Sequence, residues 1–571
     1  MADADYRAIY REWLENAYFD EQTRLELRGL PENEIEERFY KNLDFGTGGL
    51  RGIIGAGTNR MNIYTVRKAT QGLANYILKN APPEKGAAIA YDSRRFSKEF
   101  AEAAALVLCA NGVKVYLFEG LRPTPELSFA VRRLRCAAGI VVTASHNPPE
   151  YNGYKVYWDD GGQVQSPRDL EIIAEVDAIG DYSIIKLIDR EQAIETGLLK
   201  MIGKEIDDAF MECVLAQSRN PGLIKEMNDK FSIVYTPFNG AGSVPVQHAL
   251  KQAGFTRVHT VPEQERPDPD FTTIGYPNPE SPDAWRLAVK LLKETGADIA
   301  IATDPDSDRV GAVQLKNGEP VYYSGNTLGV LLTEYVLSSM KAAGTLPSNP
   351  AVVTTVVSTN MTAAVCKAYG ADCFEVLTGF KYIGGLMSKL ENSGSHTVIM
   401  GFEESIGYLI GSHARDKDAV TASLLICEMA ASYKSRGMDL EDAMDELFAK
   451  YGCFKEASKS FAYPGLEGIA RMKEIMAGLR ANPPQAINGV NIIERRDYKT
   501  GVVDKMGVKT STGLPESDVL YYVLEDESWF CVRPSGTEPK IKMYCGVRKA
   551  GEPDADSAIK ALAAGVNGLL A

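Results

Sequence analysis

The chain has 571 residues, of which 45% are hydrophobic and 24% charged, with a formal net charge of −14. That length holds about three to five domains of roughly 100 to 200 residues each, and the acidic balance excludes general electrostatic capture of nucleic acid or an anionic membrane. Any anionic ligand must find a local basic pocket. Nine cysteines are scattered without a CxxC pair, which fits a reducing compartment better than a disulfide framework. The N-terminal "MADADYRAIYREWLENAYF" is acidic and mixed, without a basic-then-apolar leader pattern, and no apolar run reaches about 18 residues. The expectation is a cytoplasmic protein that acts on small molecules, with neither nucleic acid nor membrane as partner.

In chain order, residues 4–40 read as helical, with Tyr6, Ile9, Trp13 and Leu14 on one stripe and Pro31 before Glu32 marking a second helix start. They form an N-terminal extension, 1–40. Beyond it, short apolar runs alternate with amphipathic segments of helical length, such as residues 62–79, where Ile63, Val66, Leu73 and Ile77 recur at near-helical spacing. That alternation predicts α/β architecture. Four apolar runs, Ile140 to Val142, Ile299 to Ala302, Val352 to Val357 and Val398 to Met400, each stop abruptly at a polar or Gly-rich motif. Ligands of open α/β sheets gather at the carboxyl ends of strands, so several sheets are expected to point strand ends at one site. Composition shifts place boundaries near 205, 322 and 455, giving segments 41–205, 206–322, 323–455 and 456–571. Three α/β segments of similar size fit an ancient duplication.

The first motif is "VVTASHNPPEYNGY", in which Ser145 follows a strand end where a side chain can be held at a cleft, and His146 follows it directly. Neighbours leaving a strand are expected to point apart, and no GxSxG elbow surrounds the serine, which argues against a hydrolase dyad. A plain turn, with Ser145 and Asn147 bonding the backbone before Pro148 and Pro149, is the bland alternative. The second motif is "TDPDSDRVG", residues 303–311, with Asp304, Asp306 and Asp308 alternating and Arg309 after them. Three carboxylates so close repel one another unless a cation sits among them. A calcium loop would need Gly at its sixth position and Glu at its twelfth, where this chain has Arg309 and Leu315. Magnesium bridging to a phosphate suits the remaining coordination, against a solvated acidic loop.

Near the C-terminus, "RPSGTEPKIK" crowds Arg533, Ser535, Gly536, Thr537 and two lysines into ten residues, a combination able to form a concave anion nest with a bidentate arginine. Between these lies "GFEESIGY", where Glu403 and Ser405 can bond a polyol, followed by "RDKDAV", where Lys417 can carry phosphate or proton-transfer chemistry. "FGTGGLRG" with Arg51, "YDSRR" with Arg94, and "LTGFKYIG" with Thr378, Gly379 and Lys381 read as turns with possible anion contacts.

Taken in order, "TASHNP", "DPDSDR", "GFEES" and "RPSGTEPK" resemble the α-D-phosphohexomutase family, in its longer phosphoglucomutase-like and phosphopentomutase-like branch, from about Phe45 to the C-terminus. The resemblance implies three related α/β domains with mixed sheets and a smaller C-terminal α+β domain around a central cleft. It implies that Ser145 carries a phosphoryl group and that Asp304, Asp306 and Asp308 hold Mg2+ together with it. Glu403 and Ser405 would grip sugar hydroxyls; Arg533, Ser535, Gly536 and Thr537 would bind the other phosphate. Lys417 and His146 would lie near the reacting oxygens, and Arg51, Arg94, Lys155 and Lys381 would line the cleft, with Arg309, Thr378 and Gly379 also against substrate. Glucose 1,6-bisphosphate is the implied activator. Many relatives carry Gly-Gly-Glu before the sugar-contacting serine, whereas Phe402 precedes Glu403 here and "IGY" follows Ser405. Retention of Ser405 favours glucose phosphates, with pentose and mannose phosphates as rivals within the family and a serine hydrolase or a sugar-phosphate sensor as rivals outside it.

Overall fold

The structure, a computed structural model, describes residues 6–45, 48–463, 465–535 and 540–570. The described chain divides into two compact units: residues 1–325 with 380–435, and residues 326–379 with 436–571. The α/β class expected from the alternating pattern is what the chain adopts. Among the described residues no helix is long and apolar enough to cross a membrane, and the nine cysteines are free.

The first unit opens with three helices, Tyr6–Glu15, Glu21–Arg28 and Glu32–Phe39, where the sequence pattern suggested two. The additional start is set by Asp20, whose carboxylate accepts the Thr23 N–H and caps the middle helix. An aromatic cluster holds the extension. Trp13 is fully buried, stacked on Phe19 at 4.1 Å and set edge-on to Phe39, Tyr64 and Tyr182. Tyr64 belongs to the helix Ile63–Asn80, which starts one residue after the predicted position because Asn62 caps it through a capping box with Thr65.

Two mixed sheets form the body of this unit. In the first the strands run in the order Gly49–Ile53, Tyr151–Trp158, Ala138–Val142, Ala87–Tyr91, Val115–Phe118, Leu199–Ile202. In the second the order is Glu319–Tyr322, Val310–Lys316, Ile299–Thr303, Ile233–Thr236, Val258–Thr260. The arrangements correspond. A central buried strand has a parallel neighbour on one side and, on the other, the antiparallel strand that follows it in the chain: Ala138–Val142 with Tyr151–Trp158, and Ile299–Thr303 with Val310–Lys316. The pair Thr397–Glu403 and Gly407–Ile410 repeats the same strand, loop and antiparallel return. Here the strand runs three residues past the predicted end at Met400, so Phe402 and Glu403 are strand residues rather than loop. Each of the three loops carries a non-glycine residue in the left-handed region: Ser145 at φ +52°, Ser307 at +51° and Ile406 at +54°. Gly240 gives the second of these loops its room, since a Cβ there would sit 2.4 Å from Pro305 Cα.

The second unit contains a parallel pair, Pro350–Thr355 and Asp372–Val376, and a C-terminal antiparallel sheet. Its long strands Cys453–Ala462, Lys540–Lys549, Trp529–Pro534, Leu520–Leu524 and Val490–Asp497 lie side by side. Helices Gly465–Ala481 and Glu552–Leu570 share its core through Met472, Met476, Ile559 and Val566.

Because Trp13 is the shared partner of four rings, Trp13→Ala is expected to cost about 3 to 5 kcal/mol of local stability. The check is thermal melting with limited proteolysis, in which residues 6–39 become the first segment cleaved.

Candidate active site

Ser145 lies at the end of the first sheet's central strand and is buried, 4% exposed, rather than open at a cleft. Its hydroxyl donates to Asp304 Oδ2 at 2.7 Å, so the carboxyl ends of the two central strands meet. His146 Nδ1 lies 3.2 Å from the same hydroxyl. The expectation that the two side chains point apart is therefore overturned: the left-handed turn at Ser145 reverses the chain before the alternation of a strand can separate them. Burial, reinforced by the positive charges of Arg309 and Arg51, pushes the His146 imidazole well below its usual range and keeps it neutral.

Asp304, Asp306 and Asp308 offer carboxylate oxygens that all lie within 4.8 Å of one another, and all three residues are buried. Asp304 Oδ1 accepts the backbone N–H groups of Asp308 and Arg309, which closes the loop on itself. Asp306 Oδ2 accepts from Lys155 Nζ at 2.8 Å and from the Thr124 hydroxyl at 2.9 Å. Asp308 Oδ2 faces Lys155 at 3.3 Å and Lys417 at 3.1 Å. Burial and the two neighbouring carboxylates raise Asp304 well above the usual range. At Asp306 burial opposes the charge, but Lys155 outweighs it and holds the group below the usual range.

Asp306 Oδ1 and Asp308 Oδ1 are buried without a hydrogen-bond partner. Two anionic oxygens without a hydrogen-bond donor, Asp308 Oδ1 having only Arg309 Nε at 3.9 Å, stand beside a third carboxylate and make an all-oxygen donor set that fits a hard divalent cation.

Lys417 is buried, and although burial disfavours its charge, Asp308, Asp416 and Glu403 hold it protonated. It is a fixed cation rather than a base. Tyr157 donates to Asp416 Oδ2 at 2.7 Å, and Asp416 Oδ1 accepts from Lys417 Nζ at 3.1 Å. Ser405 donates to Glu403 Oε1 at 2.9 Å. Arg309 joins this loop to the aspartates: its Nη1 donates to the Ser405 carbonyl at 3.1 Å, and the following Val310 N–H donates to the Ile406 carbonyl.

Arg51 is exposed, and its Nη1 reaches the Asn147 side chain at 3.4 Å. Two other basic residues differ from expectation. Arg94 does not line a cleft; it is 3% exposed and turned onto backbone carbonyls of the Ser145 loop. Lys381 is buried 4.0 Å from Asp169. Thr378, Gly379, Arg533 and Ser535 belong to the second unit. The Thr378 hydroxyl there is buried without a hydrogen-bond partner. Arg533 Nη2 donates to the Tyr544 hydroxyl at 3.0 Å, and the Ser535 N–H donates to the Lys540 carbonyl. Gly536 and Thr537, like Gly46 and Thr47 of the Gly-rich N-terminal motif, lie outside the described residues.

Models of the phosphoglucomutase/phosphomannomutase α/β/α domains match successive segments: domain I residues 42–183, domain II residues 208–317 and domain III residues 324–451. The chain belongs to this family. The mutase is 34% identical over 561 residues to a phosphoglucomutase of Staphylococcus aureus (strain bovine RF122 / ET3-1), across 96% of this chain and 97% of that one. It is 34% identical over 513 residues to a phosphoglucomutase of Staphylococcus haemolyticus (strain JCSC1435), across 89% and 91%. Its fold is that of pp63/parafusin from Paramecium in its open form (TM-score 0.67, 17% identity, 93% of this chain and 94% of that one). A phosphoglucomutase/phosphomannomutase family protein from Burkholderia thailandensis shares it too (TM-score 0.65, 19% identity, 92% and 96%).

Thr124 and Tyr157, which position the mutase's carboxylates and lysine together with Asp416 of the "RDKDAV" segment, carry no motif of their own. Only the Thr-Pro-Glu helix start at Thr124 was a usable signal. Gly407 lies in the "GFEESIGY" segment without a role of its own there, yet a Cβ on it would lie 2.2 Å from Lys417 Cδ and 3.1 Å from Glu403 Oε1. Gly407→Ala is expected to displace Lys417 and lower kcat by about tenfold to a hundredfold, with thermal stability changed far less. Steady-state kinetics beside a melting curve check this.

Proposed function

We propose that this mutase interconverts glucose 1-phosphate and glucose 6-phosphate, with Ser145 as the phosphoryl carrier and glucose 1,6-bisphosphate as the intermediate and activator. The observation that carries this reading is the Ser145 hydroxyl set against the buried aspartate cluster, with Lys155 and Lys417 around it. The names of its relatives and the presence of Ser405 support glucose over mannose or pentose phosphates.

In the forward half-reaction the bond between Ser145 Oγ and phosphorus breaks as the free hydroxyl of the sugar monophosphate bonds to that phosphorus. Asp304, Asp306 and Asp308 would hold Mg2+ against the phosphoryl group on Ser145, and the bound ion supplies neutralisation of the charge that develops in transfer. Lys417 and Lys155, kept charged by their carboxylate neighbours, add fixed positive potential in a dry site. Neutral His146 can take up the proton released and return it in the reverse half-reaction. Glu403 and Ser405 orient sugar hydroxyls, while Arg51, Arg309, Thr378 and Gly379 flank the ligand. Arg533, Ser535, Gly536 and Thr537 grip the phosphate that is not being transferred. Turning the bisphosphate end for end then presents its other phosphate to Ser145. The compartment is the cytoplasm, in keeping with nine free thiols.

The short contact between Ser145 and His146 also suits a hydrolase dyad, a reading that an acyl-trapping reagent on Ser145 would support. Intact-mass analysis of the purified protein is expected to show a phosphate-sized addition mapping to Ser145. Dephosphorylated protein is expected to be nearly silent until glucose 1,6-bisphosphate is added, and Ser145→Ala to lose nearly all activity. Rates on glucose, mannose and ribose 1-phosphates, measured side by side, rank the sugars; equal or higher rates with ribose 1-phosphate would overturn the glucose assignment.

Asp306→Asn, or exhaustive chelation, is expected to lower kcat by at least about a hundredfold while sugar-phosphate affinity changes little. Calorimetric binding beside turnover checks this, and full activity after chelation would remove the metal from the mechanism.

A further inference from the structure

A left-handed serine persists only where its surroundings over-determine it, and at Ser145 they do so from both sides. The Ser145 N–H donates to the Thr143 hydroxyl at 2.8 Å, and the Ser145 carbonyl accepts from Arg94 Nη2. Both holders are carried by one carboxylate. Thr143 donates to Asp92 Oδ2 at 2.7 Å; the Arg94 N–H donates to Asp92 Oδ1 at 3.0 Å, and Arg94 Nε lies 3.3 Å from Asp92 Oδ2. Asp92, Thr143 and Arg94 are each at most 3% exposed.

The rest of the guanidinium is committed to the same turn. It donates to the carbonyls of Asn147, Pro148 and Tyr151, while its carbon lies 5.0 Å from the Phe271 ring centroid. Four of its five N–H donors therefore serve four carbonyls of residues 145–151, and the fifth, on Nε, is buried 3.3 Å from Asp92 Oδ2 without a hydrogen bond. The four on the terminal nitrogens are committed to the turn rather than to a ligand phosphate. Pro148 and Pro149 bring no N–H of their own into the turn, and beside the Tyr151 N–H on the Pro148 carbonyl it is Arg94 that supplies donors to its carbonyls.

We propose that Asp92, Thr143 and Arg94 are positioning residues for phosphoryl transfer: a buried frame that fixes the backbone of Ser145 so that its hydroxyl meets the aspartate loop. This rests on the reading of Ser145 as the phosphoryl carrier. The frame touches neither sugar nor transferring phosphate, so its loss should act on kcat and not on KM.

Thr143→Val keeps the volume and deletes the hydroxyl that links Asp92 to Ser145, Thr143→Ser restores it, and Arg94→Lys keeps a charge that cannot span four carbonyls. Loss of one such buried hydrogen bond is expected to lower kcat for Thr143→Val about tenfold. The loading of Ser145 from glucose 1,6-bisphosphate, followed by intact mass, should slow by a similar factor, with KM within about twofold of wild type because no ligand contact is lost. Thr143→Ser should recover most of the rate. Arg94→Lys should lose more than Thr143→Val; should it fail to fold, the Thr143 pair still decides. Wild-type kcat and loading in folded Thr143→Val, a loss confined to KM, or no recovery in Thr143→Ser would overturn the frame while leaving the carrier role of Ser145 standing. A fully active Ser145→Ala would overturn both.

Discussion

Three buried carboxylates on alternate residues of one short loop repel one another, and the site is organised around their compensation. At about 4 Å each such pair costs on the order of 4 kcal/mol at an effective dielectric of 20. Apart from Arg309, whose Nε lies 3.9 Å from Asp308 Oδ1, the countercharges come from outside the loop. Lys155 stands on Tyr151–Trp158, the strand that returns from the Ser145 loop, and Lys417 follows Gly407–Ile410, the strand that returns from the Glu403 loop. Neutralising Asp306 and Asp308 therefore requires that three separate segments converge. The same convergence brings Ser145, Glu403 and Ser405 to the aspartates.

That convergence is simplified by repetition. Each of the three loops leaves a buried strand, turns through one left-handed non-glycine residue and returns antiparallel. The turn aims the loop's polar groups away from the strand direction, while the return strand supplies or leads to the next basic residue. One topological device thus delivers a buried serine hydroxyl, a carboxylate cluster and a glutamate-serine pair, and its chemistry differs only in the residues placed on it. Local strain at three points is tolerated because each loop is held by partners outside it: Arg94 for the first, Thr124 and Lys155 for the second, Arg309 for the third.

Electrostatics rather than acid-base strength dominates the proposed chemistry. Lys417 and Lys155 are locked as cations and His146 is kept neutral by burial and by neighbouring arginines. Phosphoryl transfer asks mainly for positioning and charge neutralisation, and a buried, pre-paired set of charges provides both without reorganisation during the reaction.

The α/β class, the N-terminal helices and the four motifs were legible in the sequence because each is local. Alternating apolar runs and an Asp-x-Asp-x-Asp spacing declare themselves within ten residues or so. Strand ends were less legible: Thr397–Glu403 continues through a Gly-Phe-Glu that reads as loop, since its pairing with Gly407–Ile410 is a tertiary fact. The relation of Ser145 to His146 was misread because backbone handedness at a single residue, not the two-residue alternation of strands, sets where those side chains go. Arg94 looked like any cleft arginine; only the fold reveals that its donors are spent on carbonyls up to 57 positions away. Thr124 marks a helix start in the sequence, but nothing local ties it to Asp306, 182 residues away, and Gly407 sits in the quoted "GFEESIGY" without any local sign of the lysine that crosses it. Sequence by itself determined which groups could hold a phosphate and a metal, because composition and spacing carry chemistry. Which of those groups meet, and which merely hold others in place, was decided by the tertiary structure, because burial and charge compensation act between segments that the chain keeps far apart.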